Sequence, residues 1–178
     1  AHAFPADVTS DDDVDRLRDH LAATGGLTTL VNCAGGDIGA AGGKPKPNGA
    51  LDISLEDAMA VLNRNFIGTM LMCRAVVPGM AQRQRGSVIN FGSLNGHVGV
   101  SPEVVYGCAK AAVIHYTRCL ALEMRGAGVR VNAISPGAFP SPRVRGSMPE
   151  FVQRLNGKVP LGRMGEPEEL KGLVVLLA

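Results

Sequence analysis

Three side chains in this 178-residue chain have types and spacings suited to acid/base chemistry. Tyr106 and Lys110 lie four residues apart, so on a helix their side chains emerge one above the other and can meet at one ligand. With only two tyrosines and five lysines in the chain, a Tyr-x-x-x-Lys would arise by accident at a frequency of roughly 0.06, so the pair alone is a weak motif. Its setting strengthens it. A phenol titrates near about 10 and is a poor base at neutral pH, but a neighbouring ammonium favours the phenolate. Ser93, at the end of the apolar run "SVINFGS", can donate a hydrogen bond to a carbonyl or alkoxide oxygen while Tyr106 exchanges its proton. The trio reads as a device for interconverting alcohol and ketone. A serine-hydrolase reading of Ser93 fails, because the G-x-S-x-G elbow would need glycines where Phe91 and Asn95 stand.

The elements that must position this trio can be read from periodicity. "DVTSDDDVDRLRDHLAATGG" has Thr and Ser before an acidic first turn, apolar residues at Val14, Leu17 and Leu21, and a closing Gly pair, the marks of a capped amphipathic helix. "LTTLVNCAGG" reads as a short buried strand ending at glycines. "SLEDAMAVLNRNFIGTMLMCRAVVPGMAQRQRG" reads as one helix capped by Ser54 and apolar around most of its circumference. A strand at "GSVINFGS", a helix at "GCAKAAVIHYTRCLALEMRGAG" and a strand at "VRVNAISPG" complete an alternation that favours a parallel sheet with crossover helices. Ligands of such sheets sit beyond the carboxyl ends of the strands, which places Asn32 to Gly35, Ser93 and Pro136 to Gly137 along one rim. Two helices without a wide polar face call for a further cover, and a homodimer or homotetramer interface is the simplest.

Composition sets the class. A length of 178 residues argues for a single domain spanning 1–178, and 46% hydrophobic residues with a net charge of +2 indicate an ordinary globular chain without a nucleic-acid partner. No apolar run approaches the length of a membrane span. The cysteines Cys33, Cys73, Cys108 and Cys119 show no metal-ligand spacing, and no metal is expected; we expect them reduced and mostly buried, as in a cytoplasmic protein. The loop Gly36 to Gly49 is long, sits at the ligand rim and carries Lys44 and Lys46, which with Arg143 and Arg145 suggests a sugar acid or polyol as substrate; a solvated basic loop is the plainer reading.

Several stretches, in order, resemble the short-chain dehydrogenase/reductase family, classical type. "NCAG" at Asn32 to Gly35 is similar to the family's Asn-Asn-Ala-Gly element, with Cys33 in place of the second Asn. "RNFIG" carries Asn65 where the family has its helix Asn, "SVINFGS" ends at Ser93 where it has the catalytic Ser, and "YGCAK" supplies Tyr106 and Lys110. "VNAISPG" followed by "FPS" supplies Asn132, Pro136, Gly137 and Ser141, and "PLGRMGEPEEL" resembles the family's late loop and helix. The resemblance implies a Rossmann-like, doubly wound parallel α/β sheet with helices on both faces. It also implies NAD or NADP as cofactor and a small-molecule alcohol or ketone as substrate.

By the same resemblance Tyr106 is the acid/base, Ser93 orients the substrate, and Lys110 binds nicotinamide-ribose hydroxyls and lowers the tyrosine pKa. Asn65 would hold a water in a proton relay. Asp7 and Val8 would contact adenine, with the backbone of Asn32, Ala34 and Gly35 along the adenosine ribose. Pro136, Gly137, Phe139 and Ser141 would hold the carboxamide. Asp7 and Thr9 could equally cap the following helix. His97, alone in its loop, is not among the site residues.

The family's opening strand and Gly-rich pyrophosphate turn have no counterpart before Asp7, and its last strand has none after "LVVLLA". The expected fold is therefore incomplete at both ends. The segment "HAFPADV" loses its usual sheet partner, the strand of Asn32 is left as an edge, and NAD cannot be told from NADP. The rival reading is a non-catalytic fragment of the same scaffold, serving as a structural or interaction module.

Overall fold

A computed structural model describes residues 3–140, 146 and 149–178. Two compact units divide the chain, 1–135 and 136–178. Helix α1 (Asp11–Ala23) opens the first. Ser10 caps it, its Oγ accepting from the Asp13 N–H at 3.3 Å, and Asp11, Asp12 and Asp13 in the first turn complement the positive end of the helix dipole. The run after it forms strand β1 (Thr29–Asn32). The long apolar segment folds as α2 (Leu55–Leu62), a π-helical turn (Asn63–Ile67) and α3 (Gly68–Gln82), so the single helix expected from periodicity carries one widened turn centred on Asn65. Strand β2 (Gly86–Phe91), helix α4 (Val104–Glu123) and strand β3 (Val129–Ile134) complete the unit.

The three strands are parallel in the order β1-β2-β3, with Leu30 opposite Val88 and Val88 opposite Val131. Successive right-handed crossovers advancing in one direction put their helices on one face. Leu30, Val88 and Val131 accordingly join Val14 of α1, Leu71, Val76, Val77 and Met80 of α3 and Leu120 of α4 in one apolar core. The other face carries Val31, Ile89 and Asn132, and Val31 is 40% exposed. This unit is one winding of the Rossmann-like parallel pattern. Residues 3–7 form no strand, and β1 is an edge of the described sheet.

Buried polar groups stitch the strand ends together. Asn32 Nδ2 donates to Asn90 Oδ1 at 2.9 Å, Asn90 Nδ2 donates to Thr117 Oγ1 at 3.0 Å, and the Thr117 hydroxyl donates to the Val113 carbonyl at 2.8 Å. The chain of bonds runs from β1 through β2 to α4, and Asn90 is fully buried. Asn32 thus turns its side chain into the interior and offers only backbone to the rim.

The second unit contains α5 (Pro149–Asn156), a 3₁₀ turn (Pro167–Leu170) and α6 (Lys171–Leu177). Asn156 Oδ1 accepts from the Met164 N–H at 2.8 Å, and Arg163 forks onto both oxygens of Glu169 at 2.8 and 2.7 Å. No described helix is long and apolar enough to cross a membrane. Three of the four cysteines, Cys33, Cys108 and Cys119, are exposed and only Cys73 is buried, against the expectation from sequence. Cys108 and Cys119 fall on the outward face of α4, whereas burial pushes the Cys73 thiol up to about 11.

Replacing Asn90 by Ala leaves the Asn32 amide and the Thr117 hydroxyl each short of a partner in a dry interior. The expected cost is about 1–3 kcal/mol of unfolding free energy, read as a lower urea midpoint with an unchanged slope.

Candidate active site

Helix α4 begins at Val104, three residues earlier than the run "GCAKAAV" suggests, which puts Tyr106 in its first turn and Lys110 one turn deeper. Lys110 is only 5% exposed. Its Nζ donates to the Phe91 carbonyl at 2.8 Å and lies 5.7 Å from the centre of the Tyr106 ring. A buried ammonium is disfavoured relative to its neutral form, and burial lowers the Lys110 pKa. Ser93 sits two residues beyond β2 and caps a short 3₁₀ turn, with Oγ accepting from the Asn95 N–H at 3.2 Å. Ser93 lies close enough to the Tyr106 phenol to pull its pKa down. Hydroxyl, phenol and ammonium are therefore gathered at the carboxyl end of β2, as their spacing predicts.

Burial and charge both act on the phenol. Burial raises the Tyr106 pKa, and the Ser93 hydrogen bond opposes the rise. Among nearby charges Glu103 and Asp37 raise it further, while Lys44 lowers it. Lys44 bridges two carboxylates, contacting Glu103 closely and Asp37 at 3.8 Å. Asn48 Nδ2 donates to Asp37 Oδ2 at 2.8 Å and Asn95 Nδ2 to Glu103 Oε2 at 3.2 Å. Reasoning from sequence missed Glu103 and Asp37. The position of Glu103 three residues before Tyr106 was the available signal.

Asn65 is fully buried inside the π turn. Its Nδ2 donates to the carbonyls of Gly36 and Val61 at 2.8 Å each, and its Oδ1 accepts from the Gly36 N–H at 2.9 Å. The side chain thereby clamps the turn after β1 against the helix, a job not foreseen in the relay reading. A Cβ on Gly35 would come 2.6 Å from Asn65 Oδ1 and 3.3 Å from Lys110 Nζ, so the position admits no side chain.

Val8, Asn32 and Ala34 meet around one small cavity with Gly68, Thr69 and Met72 of α3. Asp7 turns to local work: its Oδ1 accepts from the Thr9 N–H at 2.9 Å and the Thr9 hydroxyl at 2.8 Å, and its N–H donates to Asp13 Oδ2 at 2.8 Å. That is the helix-entry alternative. Pro136, Gly137 and Phe139 belong to the second unit, where Phe139 packs at Gly165. Ser141, Arg143 and Arg145 lie outside the described residues. His97 shares a hydrogen bond of 3.0 Å with Ser135.

A phenol, an ammonium and a hydroxyl at the strand ends of a parallel sheet stand where such sheets bind their ligands. Comparison with known proteins specifies the family. Residues 1–178 match the family model described as enoyl-(acyl carrier protein) reductase. The chain is 38% identical, over 99% of its length, to 2-(S)-hydroxypropyl-CoM dehydrogenase 3 of Xanthobacter autotrophicus and covers 69% of it. It is 33% identical, over 98% of its length, to the human 3-oxoacyl-[acyl-carrier-protein] reductase and covers 70% of that protein. A crystal structure from Agrobacterium tumefaciens, provisionally described as a gluconate dehydrogenase, superposes with a TM-score of 0.88 at 28% identity, covering all of this chain and 68% of that one. The chain belongs to the short-chain dehydrogenase/reductase family, whose members are NAD- or NADP-dependent oxidoreductases, and spans about two thirds of the length of these relatives.

The residues present fit such a cofactor. At Gly35 the surface is main chain backed by Asn65 and the Lys110 ammonium, and an ammonium has three donors of which Phe91 takes one. Gly35→Ala should displace Asn65 or Lys110. Dinucleotide affinity should fall by an order of magnitude or more while the far-ultraviolet circular dichroism is unchanged, as titration calorimetry can read.

Proposed function

We propose that this chain interconverts a secondary alcohol and a ketone, with Tyr106 as the acid/base, Ser93 and Lys110 beside it, and NAD or NADP as the redox partner. The observation that carries the reading is the placement of Ser93 just beyond β2 and of Tyr106 in the first turn of α4, its ring centre 5.7 Å from the ammonium of the buried Lys110. When bound, the nicotinamide supplies or accepts the hydride. The protein's part is position and proton. Ser93 donates to the carbonyl oxygen and holds it in reach of Tyr106. In ketone reduction the phenol gives its proton to that oxygen; in alcohol oxidation the phenolate takes it back.

In this reading Lys110 holds ribose hydroxyls, with Asn65 positioning the Gly35–Gly36 turn beside it. Val8, Asn32, Ala34 and Gly35 face the adenosine half, and Pro136, Gly137, Phe139 and Ser141 face the carboxamide.

For the substrate we favour a polyhydroxylated molecule over an anion. Lys44 is committed to Asp37 and Glu103, so the basic charge expected of the rim loop is already neutralised, whereas Asp37, Asn48, Asn95 and Glu103 offer acceptors suited to hydroxyl donors. The sugar-acid alternative keeps the exposed Lys46 and the likeness to the gluconate-dehydrogenase structure. A homo-oligomer remains part of the proposal, since α2 turns Leu55 and Met59 outward, 79% and 47% exposed, and such apolar surface suits a second copy.

Tyr106→Phe is the direct test. Loss of the proton donor should lower kcat for ketone reduction by about 10²–10⁴-fold while dinucleotide binding persists in a fluorescence titration. Full reduction by this variant would remove Tyr106 from the mechanism.

A further inference from the structure

The turn that follows Ser93 and the helix that carries Tyr106 meet along a tight seam. The 3₁₀ turn (Leu94–Gly96) lies so close to α4 that a Cβ on Gly96 would come 2.8 Å from the Ala111 N, and a Cβ on Gly107 would come 2.9 Å from the Asn95 carbonyl oxygen. Packing of this kind sets how near the two segments lie. A directional bond is still needed to set their register, and at the helix entry Glu103 makes it. Asn95 Nδ2 donates to Glu103 Oε2 at 3.2 Å, while the main-chain N–H of the same Asn95 donates to Ser93 Oγ at 3.2 Å. One residue thus links Glu103 to the serine.

Glu103 is itself held from several sides. Its N–H donates to Asn48 O at 3.2 Å, its Oε1 meets the Lys44 ammonium, and its Oε2 takes Asn95. It is also strained. Its φ of +80° is uncommon for a residue other than glycine, and such backbone persists where its surroundings over-determine it, commonly at functional sites. The strained residue is the N-cap of α4, yet its side chain makes no cap hydrogen bond. The carboxylate is spent on the two neighbouring segments instead of on its own helix.

We propose that Glu103 is a positioning residue for Ser93: acting through Asn95, it holds the serine turn against the entry of α4 and so fixes where the Ser93 hydroxyl stands relative to the Tyr106 phenol. This rests on the reading of Ser93 and Tyr106 as partners in the proposed reaction. Accepting from the Asn95 N–H sets the direction of Ser93 Oγ and leaves its own proton free to donate to a ligand oxygen. Ser93 pulls the Tyr106 pKa down, whereas the charge of Glu103 raises it. The two effects of residue 103 therefore have opposite signs: loss of its charge lowers the Tyr106 midpoint, and loss of its hold on Ser93 raises it.

The test compares two neutral amides at one position. Glu103→Gln keeps the length needed to accept from Asn95, whereas Glu103→Asn is one methylene short and tolerates a positive φ better. Both lose the charge, and Asp37, Lys44 and Lys110 are common to both, so their difference reports position. The tyrosinate absorbance of the intact chain, less that of the same protein carrying Tyr106→Phe, gives the Tyr106 midpoint without substrate and removes Tyr116, whose own pKa burial pushes far up. The Glu103→Asn midpoint should lie above that of Glu103→Gln by about half a unit or more. The two should coincide once Ser93→Ala is added to each, as a double-mutant cycle requires of residues that act through one group. The urea midpoint of Glu103→Asn should equal or exceed that of Glu103→Gln, and a less stable Glu103→Asn would make the effect one of folding and overturn the proposal. Equal Tyr106 midpoints for the two amides, or a difference that survives Ser93→Ala, would overturn it while the pairing of Ser93 with Tyr106 stands. A Tyr106 midpoint that Ser93→Ala alone leaves unmoved would remove that pairing and the proposal together.

Discussion

The hydrogen bond from Lys110 Nζ to the Phe91 carbonyl is the constraint around which the site is built. An ammonium that is only 5% exposed forfeits most of its hydration, a penalty of several kcal/mol for an unpaired ion. The carbonyl at the end of β2 returns part of that, and the pKa of Lys110 falls because burial wins the remainder. The bond has a geometric result as well. It pins the second turn of α4 to the last residue of β2, which brings the first turn, with Tyr106, over the segment that carries Ser93. Slippage of the helix by one residue would rotate Tyr106 by about 100° and separate the pair.

A second constraint acts from the other side. The π turn widens the α2–α3 helix at Asn65, a residue with poor helix propensity whose polar side chain would otherwise be an intruder in an apolar wall. There its amide spans three backbone groups, two of them in Gly36, and fixes the turn that follows β1. Gly35 then passes so close to both Asn65 and Lys110 that no Cβ fits. The buried path from Asn32 through Asn90 to Thr117 keeps the ends of β1 and β2 level. Functional geometry and interior packing are thus the same set of bonds, and the site cannot be loosened without loosening the fold.

This division explains what could be read in advance. Strands β1, β2 and β3, helices α1 and α4 and the trio of Ser93, Tyr106 and Lys110 follow from alternation of apolar runs and from i, i+4 spacing, which are local properties of a chain. The family resemblance added Asn65, whose place in a helix already looked costly. What escaped was non-local. Lys44 and Glu103 are 59 residues apart, and nothing in either neighbourhood announces that one neutralises the other, so Lys44 read as free charge for a substrate. The inward turn of Asn32 and the exposure of Cys108 and Cys119 likewise depend on which face a neighbouring element happens to cover. Asp7 shows the opposite case, since two local readings competed and the Thr9 and Asp13 bonds favour helix entry without emptying the other.

The balance of charge at Tyr106 has a consequence for how such a site tolerates change. Tyr106 is half-buried, and burial together with the nearby Glu103 and Asp37 disfavours its phenolate, which in the proposed reaction suits proton donation to a ketone. Ser93, placed just beyond the end of β2, offsets them from the interior side. Lys44 offsets them from a long exposed loop, where sequence change costs little stability and where salt and solvent weaken the effect. The groups proposed to react therefore sit against the interior, while the loop that carries Lys44 can vary without disturbing the core.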